Sequence, residues 1–250
     1  MSRGILVTGA SRGIGRAVAA AFAAGGDRVA VHCSSRPEDA ARTVESLPGS
    51  GHLLLRADLA DPAQAASLVT DAVAGLGAVD VLVNNAAVMT PHPPATTSYA
   101  DWQAAWRSTL EVNLLGAAHL SHQVAAHLIE RGAPGAIVNV GSRGAFRGEP
   151  EHPAYGASKA ALHAMGQSLA VALAPHGIAV SSVAPGFVAT ERVAERLEGE
   201  RGAEIRGQSP FGRVAAAEEV AAAVVYLASP AAAWSSGAVL DVNGASYLRT

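Results

Sequence analysis

Lysine is all but missing from this chain: of its 18 lysines and arginines, only Lys159 is a lysine. Cysteine also occurs once, at Cys33, and aromatic residues make up 4%. A lone cysteine excludes an internal disulfide framework, and Cys33 reads as a small apolar filler. Charged residues amount to only 16%, with a net charge of -3 and no cluster of lysine or arginine, so the electrostatic footprint of a nucleic-acid binder is missing. No stretch approaches about 20 uninterrupted apolar residues, which argues against a membrane span. No secretory leader pattern is visible, so a soluble cytoplasmic protein is expected. Internal repeats, linkers and low-complexity tails are absent as well. What the chain does have is apolar content, 50% of 250 residues. That is enough to bury a sizeable core, and a single domain over residues 1–250 is expected.

The one lysine stands four residues after Tyr155, in the run His152 to Lys159. On a helix the two share a face. Pro153 is tolerated only in a first turn, and the alanine-rich run from Gly156 to Ala174 continues as helix, so Tyr155 and Lys159 lie near a helix start. A phenol is a poor acid at neutral pH, but a nearby cation favours the phenolate and turns tyrosine into a usable general acid or base. A compact ammonium, unlike a guanidinium fork, can touch a ribose hydroxyl and a phenol together.

Taken in order, Ile5 to Thr8 is a short apolar strand. Gly9, Ser11, Arg12, Gly13, Ile14 and Gly15 follow in a glycine-rich turn that opens a helix to about Ala24. Such a turn lets the backbone approach a pyrophosphate, which the helix N-terminus then favours. Strands are expected at Arg28 to Cys33, His52 to Arg56, Val79 to Val83, Gly135 to Val140, Ile178 to Ala184 and Ala238 to Val242. Helices are expected at Pro37 to Leu47, Pro62 to Leu76, Asp101 to Arg131, Gly156 to Ala174 and Ala217 to Leu227. Strict alternation of strand and helix argues for a parallel sheet with helices on both faces. Asn84 and Asn85 stand at a strand's carboxyl end, where an open α/β sheet binds ligands; they either brace a turn or touch a cofactor. Asn113 falls in mid-helix, where asparagine is a poor former, and marks a distortion, a held water or a satisfied core amide. His119, His122 and His127 have no carboxylate or cysteine beside them, and a metal site is rejected. Ser142 ends the fifth strand, 13 residues before Tyr155. Phe187 to Gly212 carries charge but no apolar run and reads as a mobile lid at about 187–212.

The second strand ends in Ser34, Ser35 and Arg36, with no acidic residue from Arg28 onward. An acid there would hold the 2′-hydroxyl of NAD, whereas hydroxyls and an arginine suit a 2′-phosphate, and Arg12 is a second cation within reach. NADP(H) is therefore expected, the alternative being that Arg36 is a solvated loop charge.

With Thr8 to Gly15, Asn84-Asn85-Ala86, Asn113, Ser142, Tyr155, Lys159 and Pro185-Gly186 in this order, the chain resembles the short-chain dehydrogenase/reductase family over nearly its whole length. The resemblance implies a doubly wound, Rossmann-type α/β fold with a seven-stranded parallel sheet. It also implies that Tyr155 exchanges the proton, Ser142 steadies the carbonyl oxygen, Lys159 binds the nicotinamide ribose and lowers the Tyr155 pKa, and Asn113 holds a relay water. Gly9 to Gly15 would hold the pyrophosphate, Asp58 and Leu59 the adenine, and Asn85 and Ala86 the adenosine side. Pro185, Gly186, Val188 and Thr190 would cover the nicotinamide. Ala87 departs from the family's more usual glycine. Within the family the chain is most similar to reductases of 3-oxoacyl thioesters, through the form of its glycine turn and Pro210-Phe-Gly-Arg213.

NADPH-dependent reduction of a carbonyl is the expected activity. The alternatives are an NAD-linked alcohol or sugar dehydrogenase and a dinucleotide-binding sensor without turnover. The resemblance sets Met89, Phe146 and Phe187 over the substrate beside Arg143, Arg147, Arg192 and Arg196, an apolar slot rimmed by cations that would suit a ketone on an anionic carrier such as a phosphopantetheine thioester; the alternative is that the arginines are solvated and the substrate is a small neutral ketone. The helix from Gly156 to Ala174 is apolar all round and needs a second cover, so a homotetramer is expected.

Overall fold

The computed structural model describes residues 2–191, 193, 194 and 197–249. Seven parallel strands form one sheet in the order β3-β2-β1-β4-β5-β6-β9. They are β1 (Gly4–Val7), β2 (Arg28–Cys33), β3 (Leu53–Arg56), β4 (Val81–Asn84), β5 (Gly135–Val140), β6 (Ile178–Pro185) and β9 (Val239–Val242). All seven are those expected from the sequence, within a residue or two. Their apolar runs are explained by burial on both faces. Within β1, Ile5 and Val7 point one way with Val18 and Phe22 of α1 (Gly13–Ala24) and Val220 and Val224 of α9 (Ala217–Leu227). Leu6 points the other way, into a cluster with Leu68 and Leu76 of α3 (Pro62–Leu76) and Leu120 and Leu128 of α5 (Ala117–Glu130). The period of two along the strand thus divides one sheet into two cores. Helix α2 (Pro37–Ser46) completes the β2–β3 crossover.

β1 pairs with both β2 and β4. Strand order therefore reverses between them, and their carboxyl ends flank the crevice in which sheets of this kind bind ligands. The glycine turn after β1 and Asn85-Ala86 after β4 meet there.

The expected helix from Asp101 to Arg131 is instead two, α4 (Tyr99–Leu110) and α5, joined by a π-helical turn at Glu111–Gly116. Asn113 lies in that turn. Its Oδ1 accepts the Val88 N-H at 2.8 Å, and its Nδ2 donates to the Val88 carbonyl at 3.0 Å and to Ser158 Oγ at 3.1 Å. Three side-chain hydrogen bonds offset the cost of the wider turn. Gly116 allows it, since a Cβ there would stand 2.8 Å from the Leu59 carbonyl oxygen.

The stretch expected to be a mobile lid contains packed structure. Val188–Ala189 (β7) pairs with Ala215–Ala216 (β8), and α8 (Gly199–Gly207) buries Ile205. One isoleucine suffices to seat a short helix and leaves no apolar run in the sequence. Arg192 and Arg196 lie outside the described residues. Among the described residues, no helix is long and apolar enough to cross a membrane.

Candidate active site

The glycine turn is built to admit something large. Gly9 and Gly13 take φ of +63° and +55°, in the left-handed region that glycine enters freely. A Cβ on Gly15 would fall 2.4 Å from the Gly9 carbonyl oxygen and 2.5 Å from Asn85 Nδ2, so no side chain fits. Asn85 Nδ2 donates to the carbonyls of Thr8 and Gly9, while Thr8 Oγ1 accepts the N-H groups of Asn85 and Ala86. Asn85 thus braces the turn and also lines the cleft. Asn84 only braces, donating to Ser121 Oγ and Asn139 Oδ1 in the core. At the start of α1 the N-cap residue Arg12 gives no side-chain cap and no acid occupies the first turn, so the N-H groups there suit an anion. These features fit a dinucleotide's pyrophosphate.

His32 was not foreseen. Buried at the end of β2, its Nδ1 accepts the Gly9 N-H at 3.1 Å and its Nε2 lies 3.0 Å from the Ala57 carbonyl oxygen. The ring must be neutral with its proton on Nε2 to satisfy both, and burial lowers its pKa in keeping with this. Only the fold brings it beneath the glycine turn.

One cleft of about 680 Å³ runs from Ser34, Ser35 and Arg36 past Ser11, Arg12, Ile14 and the three glycines to Ser142, Tyr155 and Lys159. Asn85, Ala86, Pro185, Gly186, Val188 and Thr190 also line it. Asp58, Leu59 and Asn113 do not. Leu59 is buried among core side chains, and Asp58 Oδ1 instead accepts the Ala60 N-H at 3.0 Å in its own turn. At the Ser34 end of the cleft, Arg56 adds a cation that sequence reading missed. Paired in register with Cys33, it donates through Nε to the Ser34 carbonyl at 3.1 Å.

The chemistry gathers where β5 meets α7 (Pro153–Leu173). Lys159 is 2% exposed, and its Nζ donates to the Val140 carbonyl at 2.8 Å and lies 5.7 Å from the Tyr155 ring centroid. Ser142 Oγ accepts the Gly144 N-H at 2.9 Å, which leaves its own proton for another acceptor. His92, also unforeseen, holds the start of α7 by accepting the Ala154 N-H at 3.0 Å.

Beneath Ser142, the His163 ring presses on Gly141, where a Cβ would fall 2.0 Å from Cε1, and stacks on Phe146 at 5.3 Å. Phe146 is thereby drawn away from the slot expected of it, and Arg147 turns outward to Gln208 Oε1. Both belong to α6 (Gly144–Arg147), a short helix after β5. Burial pushes the His163 pKa from 6.5 down to about 4. The unfolded chain therefore binds more protons than the folded one between those values, and stability falls as pH drops through that window. The thermal midpoint should decline from about pH 6.5 toward pH 4, and His163→Phe should flatten that decline. Superimposable pH curves for wild type and variant would contradict this role.

Comparison with known proteins places this geometry. Residues 9–245 match the family model described as enoyl-(acyl carrier protein) reductase. The chain is 36% identical over 249 residues to L-rhamnose 1-dehydrogenase (NAD(P)(+)) of Sphingomonas sp., covering 98% of this chain and 96% of that one. It is 36% identical over 243 residues to the 3-oxoacyl-[acyl-carrier-protein] reductase of Escherichia coli, covering 97% and 96%. Among solved structures it is similar to a 3-ketoacyl-(acyl-carrier-protein) reductase from Brucella melitensis complexed with NADH, with a TM-score of 0.87, 28% identity and 98% of each chain covered. It is likewise similar to a putative 2-deoxy-D-gluconate 3-dehydrogenase from Agrobacterium tumefaciens with bound NADP, with a TM-score of 0.86, 33% identity and coverage of 97% and 95%. Sequence and architecture thus agree with these proteins over nearly the whole length, and the chain belongs to the short-chain dehydrogenase/reductase family of oxidoreductases.

Proposed function

We propose that this protein is an NADPH-dependent carbonyl reductase that converts a ketone to a secondary alcohol with Tyr155 as proton donor. The observation that carries this reading is the buried ammonium of Lys159, 5.7 Å from the Tyr155 ring, in the wall of the cleft that holds the glycine turn and Ser142. Bound NADPH would supply the hydride. Ser142 donates its free proton to the carbonyl oxygen and steadies the charge that develops there. Tyr155 delivers the proton to that oxygen, and Lys159, tethered to Val140, presents a compact ammonium that can serve ribose and phenol together. Because the Asn113 amide is spent on Val88 and Ser158, a relay water would be held by main-chain carbonyls of the π-turn.

Sugar and polyol dehydrogenases among the relatives support a second reading, oxidation of a secondary alcohol by the same groups in reverse. The substrate class proposed first is a 3-oxoacyl thioester or related ketone, supported by the likeness to acyl-carrier-protein reductases and by Met89 and Phe187 in the cleft wall. Assays of ketones and thioesters with NADPH, and of secondary alcohols with NADP, decide between the two directions. Tight dinucleotide binding without turnover on any of them would instead favour a sensor.

NADPH over NADH is supported by Ser34, Ser35, Arg36 and Arg12, with Arg56 beside them. One charge-assisted contact to a phosphate is worth roughly 1.5 to 3 kcal/mol, or about one to two powers of ten. Arg56→Ala should lower kcat/KM for NADPH about tenfold while sparing NADH, and Arg36→Asp should reverse the preference. Equal kcat/KM for both cofactors in the unmodified protein would refute the assignment.

A homotetramer is proposed as the assembly. Exposed Ala157, Ala160, Ala164 and Val171 on α7, the last 80% exposed, support it. Sedimentation at micromolar concentration should give four chains, and a monomer would refute it.

A further inference from the structure

Arg143 follows Ser142, and its N-H donates to the Pro185 carbonyl at 2.9 Å. It is the one arginine among the described residues that is buried, at 7% exposure. It also has no carboxylate partner among them. Nη1 donates to Ser246 Oγ at 2.7 Å, and the guanidinium lies 5.3 Å from the Phe187 ring centroid. Glu149 attracts it without forming an ion pair, and Arg147 repels it. The neighbouring acids are spent elsewhere, Asp241 on Arg249 and Glu219 on Arg213. A guanidinium has five N-H donors, and among the described residues Ser246 is the acceptor that the Arg143 side chain finds, so most of its donors are left to face the two cavities. Taking such a charge out of water is unfavourable unless an anion joins it.

The position of Arg143 says where that anion would come from. It forms part of the wall of the cleft beside Ser142 and Tyr155, and also of a second chamber of about 300 Å³ lined by Phe187, Ile205, Phe211 and Ser246. Because Ser246 Oγ accepts from Arg143, its own proton is left to donate. We infer that Arg143, with the Ser246 hydroxyl, binds a carboxylate carried by the carbonyl substrate itself, so that the substrate is a small oxo acid. This rests on the reductase reading and, among the ketones it admits, selects a free oxo acid over the thioester. A single guanidinium matches one negative charge, and its fork matches the planar geometry of a carboxylate. A phosphate dianion would leave a second charge in a chamber whose walls already include Asp241 and Glu219. Of the cations expected to rim the slot, Arg147 faces outward to Gln208, which leaves Arg143 as the described one in the cleft wall.

The test compares a free 3-oxo acid with its methyl ester and with the neutral N-acetylcysteamine thioester of the same acyl chain, using NADPH. The wild-type kcat/KM should favour the free acid about 10- to 100-fold, the worth of one charge-assisted contact. In Arg143→Gln the ratio of acid to ester should fall to near one. If that variant does not fold, Arg143→Lys, which keeps the charge and loses the fork, should reduce the ratio partway. Equal rates for acid and ester in wild type, an unchanged ratio in the variant, or preference for a phosphorylated ketone would overturn the inference. Calorimetric titration of the corresponding 3-hydroxy carboxylate into the NADP-loaded protein separates this from the reductase reading. Binding that is lost in Arg143→Gln without turnover of any ketone would sink the reductase reading and keep the anion site. Turnover of neutral ketones without carboxylate binding would do the reverse.

Discussion

Replacing Tyr155 with phenylalanine should lower kcat about a thousandfold while leaving dinucleotide affinity within a few-fold of wild type. The magnitude is that of losing a positioned general acid, commonly 10² to 10⁴. The selectivity follows from geometry, since hydrogen bonds to main-chain carbonyls hold the glycine turn, Ser34 to Arg36 and Lys159: Asn85 to Thr8 and Gly9, Arg56 to Ser34, and Lys159 to Val140. The decisive pair of measurements is steady-state kcat on a ketone and the dissociation constant for NADPH. A variant that keeps a tenth of its kcat would show that the proton comes from elsewhere.

Lys159→Met should lower kcat by about 10² to 10³ and weaken the dinucleotide as well, the result expected if one ammonium serves both ribose and phenol. It should also lower the thermal midpoint. The Val140 carbonyl, buried and deprived of its 2.8 Å donor, loses a charge-assisted bond worth about 1.5 to 3 kcal/mol. Lys159→Arg should not rescue activity, since a site that leaves the lysine 2% exposed has no room for a planar fork. If Tyr155 and Lys159 act as one unit, the double variant should be hardly slower than the worse single one. Additive losses would mean that the two serve separate steps.

Strands buried on both faces write themselves into sequence as unbroken apolar runs, and so the β1 to β6 and β9 ladder was legible, as was the alternation that makes it parallel. Tyr155 and Lys159 were legible because helical spacing is local. Asn113 announced a distortion through poor helix propensity, and the π-turn is that distortion. What failed were features that need neighbours distant in sequence. His32 is an ordinary strand histidine until the β1–β2 pairing sets it under Gly9. Arg56 joins Ser34 only through its register with Cys33. Arg143 and Arg147 look equivalent on paper, but the single turn of α6 sends one inward and the other to Gln208. Phe146 was assigned to the slot because nothing local reveals His163 waiting one helical turn beyond Lys159. Helix α8 escaped because its packing depends on Ile205 and the small Gly202 in place of an apolar stripe.

Hydride transfer itself is the property to measure. NADPH carrying deuterium at the transferable position of nicotinamide C4 would be incubated with the protein and the panel of oxo acids, ketones and thioesters, and the alcohol analysed for label. The expected result is one deuterium on the carbinol carbon for each NADPH consumed, at a rate that falls about a thousandfold in Tyr155→Phe. NADPH bound tightly by the wild-type protein, with no deuterium reaching any carbonyl carbon, would contradict the assignment of this cleft as a carbonyl reductase site.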